Sequence, residues 1–421
     1  MGNKQIRRER HVTMEELIIA DQLYVRRLNT RTVSECLRLN SPLSRAELAK
    51  HTGLNRSTIS SIIGELIERG FVRETEIQSD SRIGRPGMLL EFNPEGGCAI
   101  GVDIGVDYIS IVLADYTAAI KWRQSSPINA DAPQLEIVSQ AEKMVNNALD
   151  IAQQLGIPAK GIGVGLPGLV DTTSGKLIIA PNLHWNDLPV REMWMQKFGL
   201  PVFVENESNN GAMGEFFYGA AYGKSDFIYL GTGIGLGGGI VLNGKLFKGS
   251  RGFAGEIGHV ILDMDGEQCG CGDRGCWEAY VGPRYIIRKI KQILEDGEES
   301  IIRELVGNDL SQLTMDIVIE AAKAHDRIAT ETLHEIGVQL GIGISNLISI
   351  FNPELIVMGG ALCPASPWLI PIIEQSIKKH VLPPLLGNLN IVPSKLSQDS
   401  NVMGAVALVL DNILRETHFA W

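Results

Sequence analysis

The chain has 421 residues, a formal net charge of −11 and 44% hydrophobic residues, which is ordinary for a globular protein of two or three domains. No stretch approaches eighteen consecutive apolar residues, and residues 1–30 contain no apolar run of signal-peptide length, so we expect a cytoplasmic protein that makes no use of a membrane. The net negative charge argues against a general nucleic-acid binder.

The charge is unevenly distributed along the chain. Residues 1–90 hold 15 Lys and Arg against 11 Asp and Glu, whereas the remaining residues hold 23 against 38. This asymmetry predicts a small basic module, residues 1–92, in front of a large acidic body. Residues 1–25 are weakly patterned and are interpreted only as an arm or an extra helix.

Residues 43–72 carry the pattern of a helix-turn-helix. Apolar residues at positions 59, 62, 63, 66 and 67 follow the spacing of an amphipathic helix. Thr52-Gly53-Leu54 is predicted to form the tight turn before this helix, and Asn55 to cap it. Thr32–Asn40 is predicted as the first helix, with Leu37 and Leu39 available to the core.

Polar side chains outside the apolar stripe are concentrated at the start of the second helix, the part that enters a major groove in such modules. These candidate DNA-binding residues are Arg56, Ser57, Thr58, Ser60 and Ser61. They suit base edges and phosphates, which predicts operator DNA as a partner. The alternative is a helical hairpin whose polar face is only solvated.

A wing is predicted directly after the helix-turn-helix. In residues 71–94, two strand-like runs flank a polar Gly-Arg-Pro-Gly tip. Arg82 and Arg85 would then reach a phosphate or an adjacent minor groove.

The acidic body alternates strands with helices. Strand-like runs end in glycine turns within residues 98–116, 161–171, 227–244 and 354–360, and helical patterns cover 134–155, 284–296, 316–325 and 329–350. Such alternation predicts an α/β architecture. We expect two lobes, 97–205 and 206–421, with a dimer interface in the second.

Three of the six cysteines lie within eight positions, ten residues after a histidine. A disulfide would need an oxidising compartment, whereas clustered thiols in the cytosol more often bind metal. His259, Cys269, Cys271 and Cys276 offer one nitrogen and three thiolates, which suits tetrahedral Zn²⁺ in a closed structural site. The interspersed glycines Gly270, Gly272 and Gly275 would allow the turns that such a loop needs. The alternative is a reduced, partly buried loop.

Cys36, Cys98 and Cys363 are scattered along the chain. They are predicted to be small core residues.

The motifs GLPGLVD, APNL, ENESN, GTGIG, GEIGH and CGCGDRGCWE occur in one order, and together the chain resembles the ROK family of bacterial sugar kinases and sugar-responsive repressors. The resemblance covers nearly the whole chain. It implies a winged helix-turn-helix followed by a two-lobed, actin-like ATPase/sugar-kinase fold, of the branch that includes xylose and N-acetylglucosamine repressors. It also implies that the histidine and three cysteines hold a structural zinc ion, and we expect a homodimer or a dimer of dimers.

The resemblance implies that acidic and amide residues around the zinc loop bind sugar hydroxyls. The implied sugar-binding residues are Gly168, Asn182, Asn206, Glu207, Glu256, His259 and Glu278. Carboxylates and amides suit this task because they fix hydroxyls that both donate and accept hydrogen bonds. His184 and Trp185 follow Asn182 and could belong to the pocket or to simple loop packing.

The resemblance leaves two activities to distinguish, sugar kinase and sugar-responsive regulator. The family's kinases hold ATP phosphates at a D-x-G-G-T turn, but here Val106 and Asp107 replace the second glycine and the threonine. Val106 would crowd the phosphate and Asp107 would repel it. A second glycine run at 231–239 could hold phosphate or could be a tight strand turn.

The kinases' catalytic aspartate corresponds to Glu207, which could itself act as a base. Together with the altered phosphate turn and the DNA-binding module, however, this change favours a non-enzymatic sugar sensor without catalytic residues. The alternatives are a sugar kinase with residual or full activity and a sugar-independent DNA-binding scaffold.

Glu207 also bears on the identity of the sugar. It is one methylene longer than aspartate and would extend about 1.5 Å further toward the outermost hydroxyl of a hexose. An aldopentose lacks the hydroxymethyl group there, so we expect an aldose effector of the xylose type. The sequence does not determine whether the sugar releases DNA or promotes binding.

Overall fold

The computed structural model describes residues 22–75 and 88–415. The chain divides into two compact units, one with residues up to Phe92 and from Ile413 onward, and a second spanning Asn93–Asn412. The elements of the first unit are α1 (Gln22–Asn40), β1 (Leu43–Ser44), α2 (Arg45–Thr52), α3 (Arg56–Glu68), β2 (Val72–Thr75) and β3 (Leu89–Phe92).

Local capping explains the boundaries of α2 and α3. Ser44 and Glu47 form a reciprocal capping box at the start of α2, and Gly53 ends the helix in the left-handed conformation at φ +71°. The side chain of Asn55 accepts a hydrogen bond from the N–H of Thr58 at 2.8 Å. The predicted turn and cap are therefore confirmed.

The first helix is longer than predicted. It begins at Gln22, ten residues before the expected start at Thr32. Leu37 is fully buried, but Leu39 is 40% exposed, so the prediction that both contribute to the core is wrong for Leu39. Residues two positions apart lie about 200° around an α-helix, so Leu39 points away from the core that buries Leu37.

A three-stranded antiparallel sheet with the order β1-β3-β2 accompanies the helices. The pairing of β2 with β3 has the topology of the predicted wing. Its predicted tip, with Arg82 and Arg85, lies outside the described residues.

The second unit begins with a five-stranded mixed sheet of order β11-β7-β4-β5-β6 and a small antiparallel sheet of order β10-β9-β8. Its elements are β4 (Cys98–Ile104), β5 (Tyr108–Asp115), β6 (Ile120–Pro127), α4 (Gln134–Leu155), β7 (Ala159–Leu166), β8 (Leu169–Asp171), β9 (Lys176–Ala180), β10 (Trp185–Leu188), α5 (Val190–Phe198) and β11 (Val202–Asn206). One face of the large sheet packs against α4, whose buried stripe includes Ile137, Ala141 and Val145.

A second five-stranded sheet has the order β14-β13-β12-β15-β16. The remaining elements are α6 (Glu207–Tyr218), β12 (Phe227–Thr232), β13 (Leu236–Leu242), β14 (Lys245–Leu246), α7 (Glu278–Val281), α8 (Pro283–Glu295), α9 (Ile302–Leu305), α10 (Met315–Lys323), α11 (Arg327–Phe351), β15 (Leu355–Gly360), α12 (Ser366–His380), α13 (Pro383–Leu386), β16 (Asn390–Pro393) and α14 (Ser400–Arg415). All four helices predicted for the acidic body are present, as α4, α8, α10 and α11.

Two apolar cores accompany these sheets. The first core lies at the first sheet and includes Ile100, Val164 and Trp194, and the second core lies at the second sheet and includes Ile228, Leu340 and Ile356.

The last helix packs against the first sheet. An added Cβ on Gly101 of β4 would stand 2.5 Å from the carbonyl oxygen of Val402, and one on Gly163 of β7 would stand 2.0 Å from that of Ala405. Both strands therefore need glycine where α14 approaches. The expected division into lobes at 205/206 did not anticipate that the end of the chain returns to the first sheet.

Candidate functional site

The predicted metal ligands come together in one cluster. The ligand atoms of His259, Cys269, Cys271 and Cys276 all lie within 4.8 Å of one another, with Cys269 and Cys276 buried and the other two exposed. Nδ1 of His259 lies 3.8 Å from Sγ of Cys269, and the sulfurs of Cys271 and Cys276 are 3.7 Å apart. One imidazole nitrogen and three sulfurs in this arrangement are compatible with a tetrahedral zinc ion.

Backbone pairing holds the loop that carries the cluster. Leu262 donates to the carbonyl of Gly275, and Trp277 donates to that of Val260, both at 2.8 Å. Gly272 and Gly275 have φ of +97° and +72°, but Gly270 does not adopt a left-handed conformation. The predicted need for glycine at all three positions therefore holds for two of them.

The other three cysteines stand apart from the cluster. Cys98 and Cys363 are buried, as predicted, but Cys36 is only partly buried. Cys36 lies in α1, a helix of the small first unit, whose core is formed by larger residues such as Leu37 and Ile63.

Two acidic residues adjoin the cluster. Glu278 lies with Oε1 3.7 Å from Sγ of Cys269, while Oε2 accepts a hydrogen bond from the N–H of Leu236 at 3.0 Å. Oε2 of Glu256 lies 4.0 Å from Nε2 of His259. The imidazole therefore has Nδ1 toward the sulfurs and Nε2 toward Glu256. Burial raises the pKa of Glu256, and the charge of Glu278 raises it further.

Glu207 is the first residue of α6. Burial raises its pKa to about 8, and the charges of Asp103, Glu256, Asp107 and Glu278 add to this effect. The acidic groups that raise the pKa of Glu207 thus come from two segments. Asp103 and Asp107 lie at the β4–β5 turn, and Glu256 and Glu278 lie at the two ends of the segment that carries the metal cluster, residues 256–278, here called the metal loop. The raised pKa means that Glu207 is largely protonated at neutral pH, so its carboxyl can donate a hydrogen bond as well as accept one.

Asn206 has a structural role that the sequence did not reveal. Its side-chain oxygen caps α6 by accepting from the N–H groups of Ser208 and Asn209, and its side-chain nitrogen donates to the carbonyl of Gly168 at 2.9 Å. One N–H of the amide is left for a ligand.

The backbone conformation at position 168 requires glycine. It has φ of +83°, and an added Cβ would stand 2.2 Å from the carbonyl oxygen of Ile179. Glycine is needed here both for the left-handed conformation and for the close approach of β9.

Asn182 lies near the metal loop. Its side-chain oxygen is 3.6 Å from the position that a Cβ on Gly270 would take. Trp185 is 1% exposed and belongs to the first core, which settles its role as packing, whereas His184 is exposed. The structure therefore brings Asn182, but not Trp185, to the protein surface beside the loop.

Sequence reasoning missed Lys248. Its Nζ lies 2.5 Å from Oε2 of Glu205, which is 2% exposed, and Oε1 of Glu205 accepts from the N–H of Asn206 at 3.0 Å. Lys248 therefore compensates the buried charge that fixes the start of α6. The position of Glu205 within ENESN was the available signal, but nothing in the sequence links it to Lys248.

At the altered turn, the side chain of Val106 is 9% exposed and packs into the first core. The expectation that Val106 and Asp107 disfavour a phosphate stays a prediction. The side chain over the turn is that of Tyr108. An added Cβ on Gly105 would stand 2.4 Å from its Cε1, and its hydroxyl donates to Oδ2 of Asp103 at 2.6 Å.

The second glycine run forms the β12–β13 hairpin, and its glycines other than Gly233 lie close to neighbouring atoms. An added Cβ on Gly237 would stand 2.0 Å from Oγ of Ser208, and one on Gly239 would stand 2.5 Å from the carbonyl oxygen of the same residue. These contacts place α6 directly on β13. Of the two interpretations, the geometry favours the tight strand turn.

The polar residues of α3 are accessible in part. Arg56, Ser57 and Ser60 are exposed, and Thr58 is half-buried. Ser61 is exposed too, but Arg26 of α1 donates to its hydroxyl at 3.3 Å and to Glu65 at 2.7 Å. Ser61 thus takes part in a contact between α1 and α3, which the sequence pattern did not suggest.

The chain matches the ROK family over residues 99–412 and the MarR family over residues 31–83. It is 33% identical to a xylose repressor of Caldicellulosiruptor bescii over 94% of this chain and 98% of the relative. The chain belongs to the ROK family.

Two further likenesses bear on the type of ROK protein. The chain is 30% identical to the N-acetylglucosamine repressor of Escherichia coli O157:H7 over 91% of its length and 93% of the relative's. The crystal structure of a ROK family transcriptional regulator, a homologue of the E. coli MLC protein, superposes with a TM-score of 0.80 at 26% identity, over 93% of this chain and 98% of the other. These findings confirm the predicted fold class and the prediction of a transcriptional repressor from the sugar-responsive branch, and they disfavour the kinase alternative.

Among the described residues, one helix, α11, is long and apolar enough to cross a membrane by length and composition alone. Its apolar side chains, including Leu333, Leu340 and Ile344, are buried in the second core. A core helix passes the same test, so no membrane protein is indicated.

Proposed function

We propose that this ROK protein is a cytoplasmic repressor that binds an aldose beside the metal loop and thereby changes its affinity for operator DNA. The observation that carries the proposal is the position of Glu256 and Glu278 at the metal cluster, with Oε2 of Glu256 4.0 Å from Nε2 of His259 and Oε1 of Glu278 3.7 Å from Sγ of Cys269. The charges of both also help to raise the pKa of Glu207. Acidic side chains suit a ligand that offers several hydroxyl donors.

The proposed sugar site includes further residues beside these glutamates. They comprise Gly168, Asn182, Asn206 and His259. Asn206 contributes the one amide N–H that capping leaves free, and Asn182 approaches from beside Gly270. Gly168 contributes through the backbone, since its carbonyl fixes the amide of Asn206.

The metal in this proposal is a structural zinc ion held by His259, Cys269, Cys271 and Cys276. Zinc with four protein ligands supplies fixed tetrahedral geometry and leaves no open position for chemistry. The ligand cluster would orient the imidazole of His259, so that Nε2 stays beside Glu256. Glu278 would be positioned in the same way through its proximity to Cys269.

The favoured effector is an aldopentose such as xylose. Glu207 extends one methylene further than aspartate, which reduces the space for a hexose hydroxymethyl group. The relative from C. bescii is named a xylose repressor, which supports this choice, whereas the E. coli relative is named for N-acetylglucosamine.

DNA recognition is assigned to residues 1–92, with Arg56, Ser57, Thr58, Ser60 and Ser61 on α3 and with Arg82 and Arg85. Two copies in a homodimer, or four in a dimer of dimers, would match a two-fold symmetric operator. In the proposed body, the lobe built on the first sheet, which includes α14, and the lobe built on the second sheet move about the sugar. This replaces the expected lobes 97–205 and 206–421. The protein has a state that binds DNA and a state that does not. The sugar binds more tightly to one of these two states and thereby shifts the protein toward it.

The test uses the full-length protein and DNA that it selects from a random-sequence pool. Titration with xylose should change the affinity for this DNA by roughly 5 to 150-fold, the usual range of allosteric coupling. Parallel incubation with ATP and assorted aldoses should give no ADP. Sugar-dependent ADP formation, or DNA affinity that no aldose alters, would contradict the proposal.

A further inference from the structure

The side chain of Lys248 connects two parts of the second unit that are far apart in the chain. Lys248 follows β14, which belongs to the second sheet, and its Nζ lies 2.5 Å from Oε2 of Glu205 in β11, a strand of the first sheet. Nζ also donates to Oγ1 of Thr172 at 3.5 Å. The side chain of Glu205 is only 3% exposed, so the ammonium group balances the charge of a buried acid.

The other oxygen of Glu205 holds the start of α6. Oε1 accepts hydrogen bonds from the N–H of Asn206 at 3.0 Å and from Nδ2 of Asn209 at 3.1 Å. Asn206 is one of the proposed sugar-binding residues, and Glu207 directly follows it. A carboxylate binds such donors more strongly than a neutral acceptor does, so the charge of Glu205 fixes the backbone on which these two residues stand.

The backbone of Lys248 holds a second segment of the proposed sugar site. Its carbonyl accepts a hydrogen bond from the N–H of Ala254 at 3.1 Å, two residues before Glu256. The intervening Gly255 has φ of +105°, and an added Cβ on it would stand 2.5 Å from the carbonyl oxygen of Gly238. Lys248 therefore bonds both to the residue before Asn206 and to the start of the short, closely packed segment that leads to Glu256.

We propose that Lys248 is a positioning residue of the sugar site, which holds Asn206 and Glu256 in the arrangement that binds the sugar. This inference rests on the proposed function. Without the ammonium group, Glu205 would carry a buried charge without a partner, and such a group moves toward solvent or takes up a proton. Either response weakens the hydrogen bond to Asn206. The sugar would then have to order residues that the unmodified protein holds in place in advance.

The experiment measures the binding of D-xylose and D-glucose to the full-length protein by calorimetry. Lys248→Met keeps a long side chain and removes the ammonium charge. It should weaken binding of the sugar that the unmodified protein prefers by about tenfold, the low end of the range for residues that orient metal ligands through a hydrogen bond. Lys248→Arg keeps the charge and should retain most of the affinity.

Lys121→Met is the matched control. Nζ of Lys121 lies 2.8 Å from Oδ2 of Asp115, and the two side chains are 33% and 0% exposed, close to the 36% and 3% of Lys248 and Glu205. The other oxygen of Asp115 accepts from the N–H of Thr117, so this acid holds a turn and no proposed sugar residue. Lys121→Met should lower the free energy of unfolding in urea and leave the sugar affinity unchanged.

A double variant separates positioning from direct contact with the sugar. In Glu205→Gln/Lys248→Met the buried group is neutral and needs no counter-charge, while its amide oxygen can still accept from the N–H of Asn206. The double variant should therefore bind the sugar more tightly than Lys248→Met alone. If the two variants bind it equally weakly, Lys248 does not act through Glu205 and the proposal is wrong.

The outcomes also separate this proposal from the proposed function. If the unmodified protein binds an aldose and Lys248→Met binds it with the same affinity, Lys248 has no positioning role and the proposed function stands. Equal losses of sugar affinity in Lys248→Met and Lys121→Met would reflect general destabilisation and would likewise overturn the role of Lys248. If the unmodified protein binds no aldose, both proposals fail.

Discussion

The indole of Trp277 lies directly against the backbone of Gly343, so that an added Cβ at Gly343 would stand 2.1 Å from Cε2 of the ring. Trp277 follows Cys276 of the candidate metal cluster, and Gly343 lies within α11, the long helix of the second core. This contact connects the metal loop to the core of the body.

Gly343→Ala should therefore destabilise the protein by about 1 to 3 kcal/mol, the usual cost of overpacking a core. It should also weaken metal retention, because the displaced Trp277 is next to a ligand. The measurements are urea unfolding and metal content after dialysis against a chelator. Gly64→Ala in α3, where an added Cβ meets nothing within 4 Å, is the control and should not reduce stability. Equal behaviour of the two variants would show that the contact is unimportant.

Cys271→Ala should abolish both zinc binding and the response of DNA affinity to sugar. Three remaining ligands cannot close the tetrahedral site, and His259 then loses the constraint that keeps Nε2 beside Glu256. Elemental analysis and DNA titration with and without xylose measure the two effects. Cys36→Ala, outside the cluster, should retain zinc and response. A zinc-free Cys271→Ala protein with full sugar response would refute a positioning role for the metal.

Arg56→Ala should weaken operator binding by about 1 to 3 kcal/mol if the guanidinium contacts a base edge through two hydrogen bonds. Arg56 is exposed at the start of α3, directly after the capping Asn55. Gel shifts with the selected DNA measure the loss. Arg284→Ala removes an exposed arginine from the acidic body and should have no effect. Unchanged affinity after deletion of residues 1–92 would show that DNA binding resides elsewhere.

Glu207 should make stability depend on pH. Its pKa of about 8 in the folded protein lies above the value near 4.3 expected for an unfolded chain. Between these values the folded state keeps a proton that the unfolded state has lost, so stability falls as the pH rises through this window. Asp103, whose pKa is raised to about 6, also makes stability fall as the pH rises, but over a lower pH range.

Glu207→Gln keeps this side chain neutral at every pH. Its free energy of unfolding should consequently fall less steeply than that of the unmodified protein between about pH 6.5 and 8.5, where Asp103 is already ionised in both. Urea titrations at several pH values give the slopes. Identical slopes for the two proteins would mean that Glu207 does not hold a proton in this range.

Glu207→Asp should improve glucose binding relative to xylose. The shorter side chain withdraws the carboxyl by about 1.5 Å and gives room to a hydroxymethyl group. Calorimetric titration of both sugars measures the ratio, with the unmodified protein as reference. If the backbone shifts to compensate for the difference in side-chain length, the ratio of glucose to xylose affinity will be the same in both proteins. Tighter binding of glucose than of xylose by the unmodified protein would refute the xylose preference.

Local signals in the sequence were sufficient for much of the first unit and for the regular elements of the body. The turn at Gly53 and the cap at Asn55 follow from short-range chemistry, and helix α4 follows the predicted range 134–155. The candidate metal cluster could also be predicted from the sequence, because its three cysteines and the glycines between them lie close together in the chain.

Tertiary structure alone decided which side chains meet over long separations. The pairing of Lys248 with Glu205 and the packing of α14 on Gly101 and Gly163 join segments that no local pattern connects. Tyr108 illustrates the same limit, because strand spacing predicts only the face on which it lies. The sequence by itself determined the family, most of the regular elements and the residues of the candidate metal cluster, since these depend on nearby residues. The position of the ring over Gly105, and of Glu207 between two groups of acids, depends on how sheets and helices pack, and packing is a property of the whole fold.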